Sequence, residues 1–255
     1  MNNVNLSCPV ILSGGATKTN IYYNHDIPEN KEVFPGITYS CIGTKSPILF
    51  FEIDPNRADI DLIAEKLPPN EYKEAYKPLL MTNGGYFERD YSPAGLVMLK
   101  GKVLSPLKEK LSAVLLKKDN NYRIDFLKNV SPEEMAKADL VLQAGPLLIE
   151  PGRKKGIRSA NDRSKEAIAS RTAIGLTKQG KILLISSPKP IRLFDLMNLV
   201  LKHNKDIDVL MNLDGGPSTM LSFDCPKCTP PINLKYTPHP NLGFYPNVIV
   251  VNPIK

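Results

Sequence analysis

The sequence predicts an α+β fold, a single compact domain of mixed or antiparallel sheets with a few flanking helices. Three observations carry that prediction. Apolar runs of strand length outnumber helical patterns along the chain. Some of these runs fold back around glycine-containing turns, Lys100-Gly101-Lys102 and Lys178-Gln179-Gly180, as hairpins do. The clearest amphipathic helix covers residues 192–203, where Leu193, Leu196, Met197 and Val200 follow the i, i+3, i+4, i+7 rule.

Taken in order, residues 1–45 read as short strands and turns that pack on a main domain, residues 46–255. Residues 47–53 form the most apolar run, a buried strand closed by Asp54-Pro55-Asn56. Pro68-Pro69-Asn70 marks a turn before a short helix over 71–76, and a strand over 79–82 leads into Asn83-Gly84-Gly85-Tyr86-Phe87. Residues 96–100 and 112–117 read as further strands. At Ser131-Pro132-Glu133-Glu134 a helix should begin: Ser131 caps it, Pro132 fits the first helical position, and Glu134 completes a capping box. A strand over 140–144 runs into Gly145-Pro146. The stretch 152–170 holds Arg153, Lys154, Lys155, Arg158, Arg163 and Lys165 and reads as a long loop, either functional or a solvated excursion. A hairpin over 172–176 and 181–185, a strand over 208–213 ending at Asp214-Gly215-Gly216, and a last strand over 247–251 complete the pattern.

The 255 residues can bury a full core, and the 42% hydrophobic content is ordinary for a globular protein. No apolar run reaches the ~18 residues of a membrane helix. The first residues lack a basic start, and Pro9-Val10-Ile11-Leu12 is too short for a signal's apolar region. That leaves two readings, a protein kept where it is made or a trimmed piece of an exported one. The net charge of +7 fits an anionic small substrate or simple solubility. It comes with no nucleic-acid-binding motif, so no nucleic-acid partner is expected. Of Cys8, Cys41, Cys225 and Cys228, only the last two form a CxxC, set in a loop before Thr-Pro-Pro. A local disulfide or free thiols therefore rank above zinc, and zinc above redox chemistry. None of His25, His203 and His239 lies in the glycine-rich segments, and no metal or cofactor is expected.

Four segments share one design, a strand that ends in glycines and small polar residues. They are Thr82-Asn83-Gly84-Gly85-Tyr86-Phe87, Gln143-Ala144-Gly145-Pro146, Ser170-Arg171-Thr172-Ala173-Ile174-Gly175 and Asn212-Leu213-Asp214-Gly215-Gly216-Pro217-Ser218-Thr219. Glycine lets backbone approach a ligand closely, and polar groups at strand ends converge where pockets form. The last segment delivers a carboxylate, Asp214, to a Gly-Gly turn. Amides there, with the Ser218 and Thr219 hydroxyls, would make an anion site. Arg171 matches phosphate oxygens bidentately, and Asn83 can hydrogen-bond sugar hydroxyls. Each motif alone also fits a plain structural role: a capped tight turn, a surface arginine, an Asn-Gly turn.

Together and in this order the segments resemble the phosphodiester glycosidase domain family. The resemblance runs from Asn83-Gly84-Gly85-Tyr86-Phe87 through Gly95-Leu96, Gln143-Ala144-Gly145-Pro146-Leu147-Leu148, Arg171-Thr172-Ala173-Ile174-Gly175 and Asn212-Leu213-Asp214-Gly215-Gly216-Pro217-Ser218-Thr219 to Pro246-Asn247-Val248-Ile249-Val250. It departs from the family's pattern at Pro217, where a third glycine or another small residue is frequent. It implies hydrolysis of a sugar-1-phosphodiester of the N-acetylglucosamine type, with surface or storage glycans such as exopolysaccharide as the setting in bacterial relatives. The residues then expected in the site are Asp214 and Arg171 as catalytic groups. Asn83, Gly84, Gly85, Tyr86, Gln143, Gly145, Thr172, Asn212, Gly215, Gly216, Ser218 and Thr219 are expected to hold the substrate. Glu88, Asp90, Asp162 and Glu166 are candidates for a second carboxylate. The alternatives are a phosphodiesterase that cuts P–O and a non-catalytic module that binds anionic glycans.

Overall fold

The computed structural model describes residues 31–42, 47–157, 167–225, 232–236 and 242–254. The strands are β1 (Lys31–Phe34), β2 (Ile37–Ile42), β3 (Ile48–Ile53), β4 (Ala58–Ile63), β5 (Leu80–Asn83), β6 (Val97–Leu99), β7 (Lys102–Ser105), β8 (Ala113–Lys118), β9 (Asn121–Phe126), β10 (Leu140–Ala144), β11 (Leu147–Glu150), β12 (Lys154–Lys155), β13 (Ala169–Thr177), β14 (Ile182–Ile191), β15 (Ile207–Asn212), β16 (Leu221–Cys225), β17 (Ile232–Tyr236) and β18 (Val248–Pro253). Three helices accompany them, α1 (Pro69–Tyr76), α2 (Pro132–Lys137) and α3 (Leu193–His203).

The strands form three sheets, ordered β1-β2-β3-β14-β13-β15-β11-β12, β7-β6-β10-β8-β9 and β17-β16-β5-β18-β4. Of the mixed or antiparallel alternatives, the described pairings are antiparallel throughout, from β1 with β2 to β18 with β5. The expected hairpin turn at Lys100-Gly101 has both residues at positive φ, 48° and 76°, as a two-residue hairpin loop demands.

Alternation along each strand explains how three sheets share one core. Leu49, Phe51 and Ile53 of β3, Leu80 of β5, Leu140 and Leu142 of β10, Ile182 and Leu184 of β14 and Ile249 and Val251 of β18 all face a single interior cluster. Their sequence neighbours face outward, and a helix covers each outer face. Phe50, Leu183 and Ile185 meet Leu196, Met197 and Val200 of α3. Val114, Leu116 and Val141 meet Met135 of α2. Met81, Val248 and Val250 meet Tyr72 of α1. Strands buried on both faces read as unbroken apolar runs, which is why residues 47–53 lack polar alternation.

Three local expectations are refined. Ser131 caps α2 by accepting from Glu134 N at 3.1 Å, but the Glu134 carboxylate accepts from Arg123 at 2.6 Å instead of closing a capping box. The stretch after Gly152 is partly structured, since Lys154–Lys155 form β12 against β11. Arg153 donates to the carbonyls of Leu201, Asn204 and Ile207 and so secures the end of α3. Arg158, Arg163 and Lys165 lie outside the described residues. Cys41 is disulfide-bonded, and the side chains of Cys8, Cys225 and Cys228 lie outside the described set.

Candidate active site

The ends of β5, β10 and β15 and the starts of β11, β13 and β18 lie together, because antiparallel registry sets Val248 against Asn83, Ala173 against Asn212 and Leu147 near Met211. All three sheets therefore contribute to one end of the molecule. Backbone hydrogen bonds stitch the four glycine-rich segments there. Gly145 N donates to Asn212 O at 3.0 Å, Asn212 N to Pro146 O at 3.0 Å, Leu213 N to Thr172 O at 2.9 Å and Asp214 N to Gly84 O at 3.3 Å.

The residues divide into a frame and a mouth. Asn83, Gly84, Gly85, Gln143, Gly145, Thr172, Asn212, Ser218 and Thr219 are buried, whereas Tyr86, Arg171, Asp214, Gly215 and Gly216 are partly exposed. Asn83 is turned into the protein. Its Nδ2 donates to Asp214 O at 2.9 Å, and its Oδ1 accepts from Thr172 Oγ1 at 2.7 Å and Met220 N at 3.0 Å. Gln143 has all its amide atoms engaged with Leu96, Lys108 and Leu111, tying β10 to the segment at 106–111. Tyr86 donates to Gly145 O at 2.7 Å and accepts from Asn212 Nδ2 at 2.6 Å.

Glycine is required twice by close approach. A Cβ on Gly215 would stand 2.8 Å from Ser170 O and 3.6 Å from Arg171 Cδ, so this turn lies directly on the arginine. A Cβ on Gly84 would stand 2.0 Å from Asn247 Oδ1. Residues Gly216–Ser218 form a single 3-10 turn with Pro217 at its start. Within it the amides of Ser218 and Thr219 donate to Gly215 O and Gly216 O, and Gly215 N donates to Asp214 Oδ1 at 2.8 Å. These three amides are spent inside the chain, which leaves less of the turn for an anion than its composition promised.

Burial pushes the Asp214 carboxyl up to about 6, against the lowering pull of hydrogen bonds from Ser218 and Gly215 N. The same charge is felt by its neighbours. Burial and then the Asp214 charge push Tyr86 up to about 12, with Arg171 pulling the other way. Burial, followed by Asp214, also raises Tyr245. Asp214, Arg171, Tyr86 and Tyr245 thus share one electrostatic neighbourhood. Arg171 is anchored through Nε to Ile191 O at 3.1 Å and through Nη2 to Ala167 O. A carboxyl poised near neutrality, with a permanent cation acting on the same Tyr86, suits a reaction that develops charge on both sides of a scissile bond.

The other candidate carboxylates differ. Glu88 pairs with Lys108 at 2.6 Å, both about half exposed, and Asp90 accepts from Ser92 N and Oγ within its own turn. Asp162 and Glu166 lie outside the described residues. Two residues that carry no role in the sequence reading adjoin the site, Tyr245 and Asn247. For the second, the sequence offers an Asn opening a Val-Ile-Val-Val strand, within the closing segment of the family resemblance. Among the described residues no group of three or more His, Cys, Asp or Glu could hold a metal ion, and no helix is long and apolar enough to cross a membrane.

The fold is shared with known structures. The catalytic domain of zebrafish N-acetylglucosamine-1-phosphodiester alpha-N-acetylglucosaminidase, auto-inhibited by its pro-peptide, matches with a TM-score of 0.62 at 15% identity, over 88% of this chain and 86% of that one. A Synechocystis protein matches with a TM-score of 0.60 at 16% identity; 85% of this chain is covered, but the match spans only 62% of the Synechocystis chain. A Burkholderia pseudomallei K96243 protein matches with a TM-score of 0.55 at 12% identity, over 85% and 74% of the two chains. At these identities the likeness is one of fold. The family follows from sequence: residues 76–251 match the phosphodiester glycosidase family, NAGPA, and the chain belongs to it. No curated protein matches significantly.

Proposed function

We propose that the protein hydrolyses a sugar-1-phosphodiester, of the N-acetylglucosamine-1-phosphodiester type, to free sugar and a phosphomonoester. The observation that carries this reading is the partly buried Asp214 carboxyl, raised to about 6, in the same neighbourhood as the Arg171 guanidinium. A glycosidase ordinarily needs one carboxylic acid to protonate the leaving oxygen and another group on the opposite face of the sugar. A phosphomonoester has a second pKa of about 6 and leaves without a strong acid. One carboxylate and one phosphate-binding cation then suffice. Asp214 serves at the anomeric carbon as nucleophile, base or stabiliser of the oxocarbenium ion. Arg171 meets the charge that grows on phosphate. Gly215 and Gly216 border the mouth with Tyr86. Asn83, Gly84, Gly85, Gln143, Gly145, Thr172, Asn212, Ser218 and Thr219 hold that surface in shape from behind.

The test is release of reducing sugar from N-acetylglucosamine-1-phosphodiesters in water labelled with heavy oxygen. Label in the sugar, with release lost in Asp214→Asn, supports the reading. Label in phosphate replaces it with P–O cleavage, and binding of anionic glycans without turnover replaces it with a binding module. Arg171→Ala should lower kcat about 10²–10³-fold, as loss of one charge-stabilising donor does. An arginine of purely structural value would lower Tm and leave kcat intact.

A further inference from the structure

Asn247 lies at the head of β18, one residue before the Val248–Asn83 pair, and is 1% exposed. Its two oxygens grip the loop that follows β5. The carbonyl accepts from Gly84 N at 3.2 Å, and Oδ1 accepts from Gly85 N at 2.6 Å. The missing Cβ of Gly84 makes room for this, since it would sit 2.0 Å from Oδ1. The gripped loop in turn grips Asp214. Gly84 O accepts from Asp214 N at 3.3 Å, and the Asn83 amide donates to Asp214 O at 2.9 Å. Both peptide groups flanking the Asp214 Cα are therefore fixed by residues 83 and 84, which Asn247 fixes from the other side.

The remaining amide atom, Asn247 Nδ2, is buried without a hydrogen-bond partner. A buried orphan donor is unfavourable for stability. An apolar side chain would avoid that penalty, so what asparagine adds at this position lies in its Oδ1. We propose that Asn247 is a positioning residue, which sets the placement of the Asp214 carboxyl through the Gly84-Gly85 backbone and never touches substrate. The proposal rests on the reading of Asp214 as the reacting carboxyl. A shift of about 1 Å in such a group is enough to slow chemistry about a hundredfold.

Asp214 accepts from Ser218 of its own turn, its charge reaches Tyr86 after β5 and Tyr245 before β18, and Arg171 from β13 acts on the same Tyr86. Asn247→Ala removes none of these groups, and the loop it releases runs directly into Tyr86, so a change in how Asp214 titrates reports a change in its surroundings relayed through that loop. Carbon NMR of full-length chain labelled at the aspartate carboxyl carbons reads that titration, with the Asp214 signal assigned by its loss in Asp214→Asn. In Asn247→Ala the midpoint should fall by about one unit as the loop relaxes and water reaches the carboxyl. In the turnover assay kcat should fall about 10- to 100-fold with KM within about threefold. Gly84→Ala should move the same midpoint. Added to Asn247→Ala it should change little further, because the atom it strikes is gone.

An unmoved midpoint in a folded variant, or full additivity of the two substitutions, overturns the proposal, as does a lowered Tm with unchanged kcat. If Asn247→Ala does not fold, Asn247→Ser carries the same measurements. A wild type silent towards every sugar phosphodiester sinks the reading of the reaction alone, and the NMR arm still decides whether Asn247 holds Asp214.

Discussion

At the scale of single residues, Asp214 sets function against stability. Its folded pKa of about 6 lies above the ordinary 3.8. Between those values the native state holds the proton more tightly than the unfolded chain does. The group therefore favours folding below about pH 4, and that contribution is lost as pH rises through 6. Asp214→Asn keeps an acceptor for Gly215 N and removes the buried charge. It should match the wild type in urea melts near pH 4 and exceed it at pH 7.5 by about 1–2 kcal/mol, less than the ~1.4 kcal/mol per unit of a fully buried group because Asp214 is partly exposed. Activity runs the other way. If the ionised carboxyl reacts, kcat/KM should rise with pH through about 6 and then level, and Asp214→Asn should show neither the rise nor the rate. Gln143 has the opposite character, with a role that is structural in every atom. Gln143→Ala strands the Leu96 and Lys108 amides and the Leu111 carbonyl, while Lys108 O keeps its bond from Leu111 N, and denaturant melts should show a loss of about 2–4 kcal/mol.

At the scale of elements, what the sequence reveals depends on how local the cause is. Strand β10 shows in its own five residues, because Leu140, Val141 and Leu142 are buried on both faces and Gly145-Pro146 ends the run. α3 shows through its apolar stripe, and the Ser131 cap through its spacing. Strands β4 and β16 show less: each alternates apolar with polar residues, Asp59 and Asp61 in the first and Ser222 and Asp224 in the second, over too short a run to stand out, and both gain stability from partners distant in sequence. The same holds in the site. Asn83 and Gln143 stand where polar groups at strand ends were expected, but whether an amide faces ligand or protein depends on Thr172, Met220 and Lys108, which only the fold brings near. The half-made capping box gives a measurable distinction. Ser131→Ala should cost about 1 kcal/mol as a lost cap. Glu134→Ala removes only a pair with Arg123 in which both side chains are about two-fifths exposed, and should cost about 0.5 kcal/mol or less.

At the scale of the whole molecule, three sheets converge on the site at one end, and a buried cation joins two of them at the other. Lys117 sits near the far end of β8, opposite Leu140 and away from the Ala113–Ala144 pair that borders the site. It reaches across to the third sheet, where Nζ donates to Asp59 Oδ1 at 2.6 Å and to Ile60 O at 2.8 Å. The side chain is 10% exposed, whereas that of Asp59 is 41% exposed, so water shares the carboxylate and weakens the ion pair. The bond to the Ile60 carbonyl is more sheltered from water, and losing it leaves that buried acceptor with the Tyr122 hydroxyl alone, at 3.1 Å. Lys117→Met keeps the aliphatic length and removes both bonds. It should lower stability by about 1–3 kcal/mol, less than the ~3–5 of a fully buried broken pair. Because one core fills the space between all three sheets, that loss should appear as a single shifted melt and not as an early transition of one sheet. The Asp214 midpoint near pH 6 should stay where it is in the same variant. A Lys117→Met protein whose Asp214 titration moves would mean that the two ends of the sheets are coupled and that the site is less insulated than its own hydrogen bonds imply.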